Sequence, residues 1–150
     1  MAALKGLKAN AAQMQRGDGG AIILDDKYTF AANPSAADTI DFRIPAGMRV
    51  DDVQIGGDRV DTNGAPTLVF SAGYTPVDTG LSLAASLQYF LPTGQTTLSV
   101  AVAARARASF KPITFEEDVW LRVTLGAAGA ATFAAGDIYA VIGGVMNGPK

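Results

Sequence analysis

The chain has no cysteine and no histidine among its 150 residues. Thiol nucleophiles, disulfides, imidazole acid–base catalysis and the usual ligands of zinc and iron are thereby excluded together. Cohesion must come from packing and from assembly. Charge of either sign is also in short supply. Twelve basic residues face 14 acidic ones, for a net charge of −2, so no bulk attraction to nucleic acid is expected. No apolar run is long enough to span a membrane, and the first residues lack the apolar core of a signal peptide. The expectation is a protein made and used in a cytosol, with no cofactor, no nucleic-acid partner and no membrane partner.

What the chain does have is turn residues and alternation. Seventeen glycines and 7 prolines punctuate short stretches of period two, the pattern of one all-β domain of the sandwich or jelly-roll type. Strands are predicted over residues 21–24, 28–32, 39–44, 48–55, 67–74, 87–91, 97–103, 109–114, 119–125 and 137–145. One helical turn is expected at 81–86. The clearest stretch is 38–74. Ile40, Phe42 and Ile44 alternate with Thr39, Asp41 and Arg43, giving one buried and one wet face. Pro45-Ala46-Gly47 forms a turn, with glycine supplying positive φ. Met48 and Val50 then point inward, but after Asp51-Asp52 the apolar phase slips to Val53 and Ile55. A slip of one residue within a strand marks a β-bulge.

Residues 1–20 differ from this body at 21–150. They carry Lys5, Lys8 and Arg16 against a single Asp18. Leu4, Leu7, Ala11 and Met14 would share one stripe of a helix, although Gly6 and Asn10 weaken it. The plainer reading is a disordered tail. The preferred one is a docking arm, helical or extended, that meets a partner through Leu4, Lys5, Leu7, Lys8, Met14 and Arg16.

Catalytic constellations fail on geometry. Asp25-Asp26, Asp51-Asp52 and Glu116-Glu117-Asp118 pair acids, but neighbours on a strand point to opposite faces and cannot grip one substrate. They fit turns and charged edges. Asp58, Asp61 and Asn63 offer oxygens without the spacing of a calcium loop, and Asx-type turns explain them as well. Arg105, Arg107 and Lys111 share one strand face without interleaved aromatics, which single-strand nucleic-acid binders need. That face is read as solvated, or as meeting acidic residues of a partner. Residues 126–136, GAAGAATFAAG, are either a loose hairpin loop or a flat surface against a neighbour. Trp120, the only tryptophan, lies on the nominally wet face of its strand with Arg122 and Thr124. A large aromatic there marks an interface or is covered by the same chain.

Asp38-Thr39-Ile40, Ile44-Pro45-Ala46-Gly47, Arg49-Val50 and the run Asp61-Thr62-Asn63-Gly64-Ala65-Pro66-Thr67-Leu68, closing at Gly73 with Lys27-Tyr28-Thr29 upstream, carry a resemblance. The chain resembles the capsid decoration, cement or minor capsid proteins of tailed phages over about its middle half. The resemblance implies a jelly-roll-like β-sandwich on the virion exterior. It would bind the major capsid protein as a homo-oligomer, with a trimer favoured over a dimer, and bridge shell subunits without catalysis. The partner-binding residues would then be the six arm residues together with Trp120 and Arg122. Two other readings stay open. One is a carbohydrate- or receptor-binding sandwich on the virion surface, and the other is a tail or connector structural protein.

Overall fold

The computed structural model describes residues 3–6, 21–100 and 104–147. Among them every regular element is a β-strand: β1 (Ala3–Lys5), β2 (Ala21–Phe30), β3 (Thr39–Ile44), β4 (Met48–Gly57), β5 (Phe70–Pro76), β6 (Ser86–Gln95), β7 (Ala104–Arg107), β8 (Ile113–Thr114), β9 (Val119–Leu125) and β10 (Gly136–Met146). They form two sheets, β1-β3-β9-β5-β6 and β2-β10-β4-β7, with β8 added to β4. Apart from the β5–β6 hairpin, the strands that lie side by side are not consecutive in sequence, and the sheets stack as a jelly-roll-like sandwich.

Alternation fixes which side of each strand faces the core. Ile40, Phe42 and Ile44 of β3 meet Val119, Leu121 and Val123 of β9 in register. They pack across the sandwich with Met48, Val50, Val53 and Ile55 of β4 and Ile138, Ala140 and Ile142 of β10 in one buried cluster. Each large side chain in it contributes on the order of 2 kcal/mol. At one end the aromatics take over. Tyr74 meets Tyr89 and Phe115 edge-on, with centroids 5.3 and 5.0 Å apart, and Phe90 meets Phe110 at 4.8 Å, a geometry the ring quadrupoles favour.

The slip at Asp51-Asp52 is a bulge. Gly143 pairs with Asp52, and Gly144 pairs with Val50, so Asp51 is passed over. Gly47 has φ 80°, as its turn requires.

Several elements differ from expectation. Asp25-Asp26 lies inside a continuous β2, whose backbone is held along its whole length by β10. That long partner overrides the two acids, which become edge residues rather than a turn. Residues 81–86 hold bends and the start of β6 and no helix, and the glycine and serines around Leu81 supply no helical propensity. Thr97–Ser99 form a turn, in which Ser99 N–H donates to the Thr96 carbonyl at 2.9 Å. Residues 101–103 lie outside the described set. Residues 109–112 are irregular, and only Ile113–Thr114 pair with β4. Leu4 sits on a strand, not a helix: Ala3, Leu4 and Lys5 run parallel to Thr39, Ile40 and Asp41. Leu7, Ala11 and Met14, with Lys8 and Arg16, lie outside the described residues.

Candidate functional site: the outer face around Trp120

β9 buries Val119, Leu121, Val123 and Leu125 and leaves Trp120, Arg122 and Thr124 half-buried on the other face. Register then decides their company. β3 sets Asp41 against Arg122 and Arg43 against Trp120, and β1 sets Lys5 against Asp41. Asp41 is fully buried. Arg122 grips it with two parallel bonds, Nε to Oδ1 and a terminal nitrogen to Oδ2, both 2.7 Å. Lys5 Nζ adds a third contact at 3.1 Å. Bidentate geometry suits guanidinium and carboxylate and gives the strong form of this pair. The hydrogen bond to Asp41, reinforced by its charge, holds Arg122 above its ordinary pKa.

Lys5 Nζ also lies 3.9 Å from the centre of the Trp120 ring, and the Arg43 guanidinium lies 5.9 Å away, both within cation–π range. Arg43 pairs in turn with Asp118, whose other oxygen accepts the Ala46 N–H at 2.8 Å. Burial would push the Asp118 carboxyl up, but its bonds with Arg43 and Ala46 outweigh that and hold it below the usual value. The face therefore presents three cations, the Asp118 carboxylate and a half-buried indole, with the Asp41 carboxylate buried beneath them.

Of the residues singled out in the sequence, the structure brings Lys5, Trp120 and Arg122 together. Leu4 packs against the core cluster, and Leu7, Lys8, Met14 and Arg16 are outside the described residues. Asp41, Arg43 and Asp118 also belong to this face. Cross-strand register assigns them there, and no local motif announces it.

The other candidates resolve differently. Asp61 is fully buried. Its Oδ1 accepts N–H bonds from Asn63 and Thr132, and its Oδ2 accepts them from Thr67, Leu68 and Ala131, at 2.8 to 3.2 Å. Burial works against the charge, but these backbone donors outweigh it and hold the carboxyl well below the ordinary range. Both oxygens are thus committed to tying the 126–136 loop down, and Phe133 pairs directly with Asp61. That loop lies against its own chain. Among the described residues no group of three or more acidic side chains is placed to hold a metal ion. Arg107 pairs with Asp52 of the same chain at 3.0 Å, and Arg105 lies 5.3 Å from the Tyr139 ring.

No protein-family model matches this chain, and no curated protein matches it. Two solved structures do. A chain of the cyanophage Pam1 capsid asymmetric unit superposes with a TM-score of 0.68 at 21% identity, covering 93% of this chain and 94% of that one. A chain of the capsid of Ralstonia phage GP4 gives 0.67 at 20% identity, covering 99% of both. What this chain shares with these two phage capsid structures, over nearly its full length, is the all-β sandwich fold.

Proposed function

We propose that the chain is a decoration protein of a phage capsid. Residues 21–150 form a rigid body, and residues 1–20 form an arm anchored to it through β1. Copies assemble as a homo-oligomer, a trimer in preference to a dimer, on the exterior of the shell. There they bridge major capsid subunits through the arm residues Leu7, Lys8, Met14 and Arg16 and through the face of Lys5, Trp120 and Arg122. Each contact is individually weak, but several per oligomer act together through high effective concentration. Binding only the assembled shell would stabilise it by mass action.

The observation that carries this reading is the end-to-end fold match to chains of two phage capsids. A structural rather than catalytic role agrees with the missing His and Cys. A sugar-binding role is disfavoured by Lys5, which sits over the ring of the sole tryptophan where a sugar would stack.

The test is co-sedimentation of the purified chain with assembled empty shells and with unassembled shell protein. Binding to shells alone, with a raised shell melting temperature, is expected. A copy number of a dozen or fewer per particle would point to the tail machinery and overturn the shell assignment.

A further inference from the structure

Two features of the body lie apart from the Trp120 face. One is an apolar groove of about 520 Å³ at one end of the sandwich, lined by Leu81, Leu83 and Phe115 with Glu116 and Glu117 alongside. The other is a tyrosine laid flat across the outer face of the β2-β10-β4-β7 sheet.

Ile138 and Ala140 are buried in the core, so Tyr139 between them points outward. It pairs with Gly56 of β4, and Gly56 pairs with Arg105 of β7. Glycine is what lets the ring lie down. A β-carbon at position 56 would come 2.6 Å from the Tyr139 hydroxyl oxygen and 2.7 Å from its Cζ. The ring therefore crosses β4 with one face against the backbone. Its hydroxyl reaches β7, where Arg105 Nε donates to it at 3.3 Å. Tyr139 keeps part of its surface exposed. The Arg105 guanidinium lies 5.3 Å from the ring centre, held at the hydroxyl end. Lys5, by contrast, sits 3.9 Å from the centre of the Trp120 ring and closes that ring to stacking.

Arg105 also differs from the other cations of this face. Lys27, Arg49 and Arg107 are each paired with a carboxylate, from Asp137, Asp51 and Asp52 respectively. Arg105 bonds two uncharged oxygens, the Tyr139 hydroxyl and Gln54 Oε1, at 3.3 and 3.4 Å. It has no carboxylate partner among the described residues. Guanidinium donors remain to spare, and a charge-assisted bond to a carboxylate is their strongest use. An aromatic face beside a spare guanidinium and a side-chain amide suits a sugar ring that carries an acid group. A polyphosphate fits worse. Asp52 and Asp137 line the same face, and single-strand binders need a series of rings rather than one.

We infer that Tyr139 and Arg105 form a subsite for an acidic saccharide. The pyranose ring stacks on the open face of Tyr139, and its carboxylate takes the spare donors of Arg105. The outer faces of the two sheets point in opposite directions, so a chain that meets a shell through the Trp120 face turns Tyr139 outward. That placement rests on the shell reading, whereas the subsite itself does not. One such contact is weak, and copies arrayed on a shell would add theirs through avidity.

The test is a titration of the purified full-length chain, followed by amide chemical shifts. The probes are tetragalacturonate, maltotetraose as its neutral counterpart, and a short oligothymidylate. Saturable shifts around Tyr139 and Arg105 are expected with the acidic sugar, and about tenfold weaker binding with the neutral one. Arg105→Gln should weaken the acidic sugar about tenfold, the weight of one hydrogen bond to a charged group, and leave the neutral one unchanged. Tyr139→Ala should abolish both, and Tyr139→Phe, which keeps the ring, should retain them. Unchanged denaturation midpoints for Arg105→Gln and Tyr139→Phe separate binding from folding. The inference is overturned if the acidic sugar gives no saturable shift, or if the neutral sugar binds as tightly. It is equally overturned if neither Tyr139→Ala nor Arg105→Gln weakens binding, or if the oligothymidylate binds more tightly through the same two residues. No shell enters this titration, so its failure leaves the shell assignment standing, and failure of shell binding leaves the subsite standing.

Discussion

At the scale of residues, two buried aspartates hold the molecule together, and they do so differently. Asp61 is satisfied by backbone N–H groups from three separate segments, so its charge binds loops rather than a cation. Its folded-state pKa is depressed, and its contribution is therefore complete above the unfolded value near 3.9 and lost as pH falls. Urea titrations should show stability constant from pH 7 to about 5 and declining below. Asp61→Asn keeps the shape but turns one acceptor into a donor facing N–H groups. It should cost about 3 kcal/mol at pH 7 and leave a shallower acid decline. Asp41 is satisfied by Arg122 and Lys5. Arg122→Ala leaves a buried carboxylate with only a half-exposed lysine, and should cost about 3 kcal/mol. A loss under 1 kcal/mol in chemical denaturation would mean that Lys5 alone suffices.

At the scale of elements, pairing decides more than propensity. β6 crosses close over Gly73 of β5, and a β-carbon there would lie 2.6 Å from Leu87 Cα and nearer still to the Ser86 carbonyl. Both obstacles are backbone, so Gly73→Ala must push the strands apart. Loss of several kcal/mol is expected, read as a lowered denaturation midpoint, whereas Gly64→Ala, with open space around it, should be tolerated. The strands β3 and β9 were legible residue for residue, because one buried face writes a period of two into the sequence. The bulge was legible too, as a slip in that period. β2 was not, because its unity comes from ten consecutive partners on β10 and not from its own Asp25-Asp26. The place of β1 was hidden for the same reason, since three residues carry no periodicity and only the edge of β3 gives them a conformation.

At the scale of the whole molecule, the polar face around Trp120 and the apolar groove lie on different parts of the body. The face of Lys5, Trp120 and Arg122 is the outer side of one sheet, and the groove of Leu83 and Phe115 is at its end. Replacing Leu7, Lys8, Met14 and Arg16 together by Ser should leave the denaturation midpoint unchanged and weaken binding to empty shells at least tenfold, about 1.4 kcal/mol. Such a substitution is a sharper test than deleting residues 1–20. Deletion also strips β1 from β3 and Lys5 from Asp41, so it mixes folding with binding. By itself the sequence determined that the body is an all-β sandwich, which faces most strands bury, and which chemistries are absent. Those properties follow from composition and from periods of two, which are local. Only the tertiary structure decided that Asp41 pairs with Arg122, that Lys5 covers Trp120, that Asp61 anchors the 126–136 loop, and that an apolar groove lies beside two glutamates. Each joins segments from 33 (Leu83 to Glu116) to 115 (Lys5 to Trp120) residues apart, and no local pattern encodes which strands become neighbours.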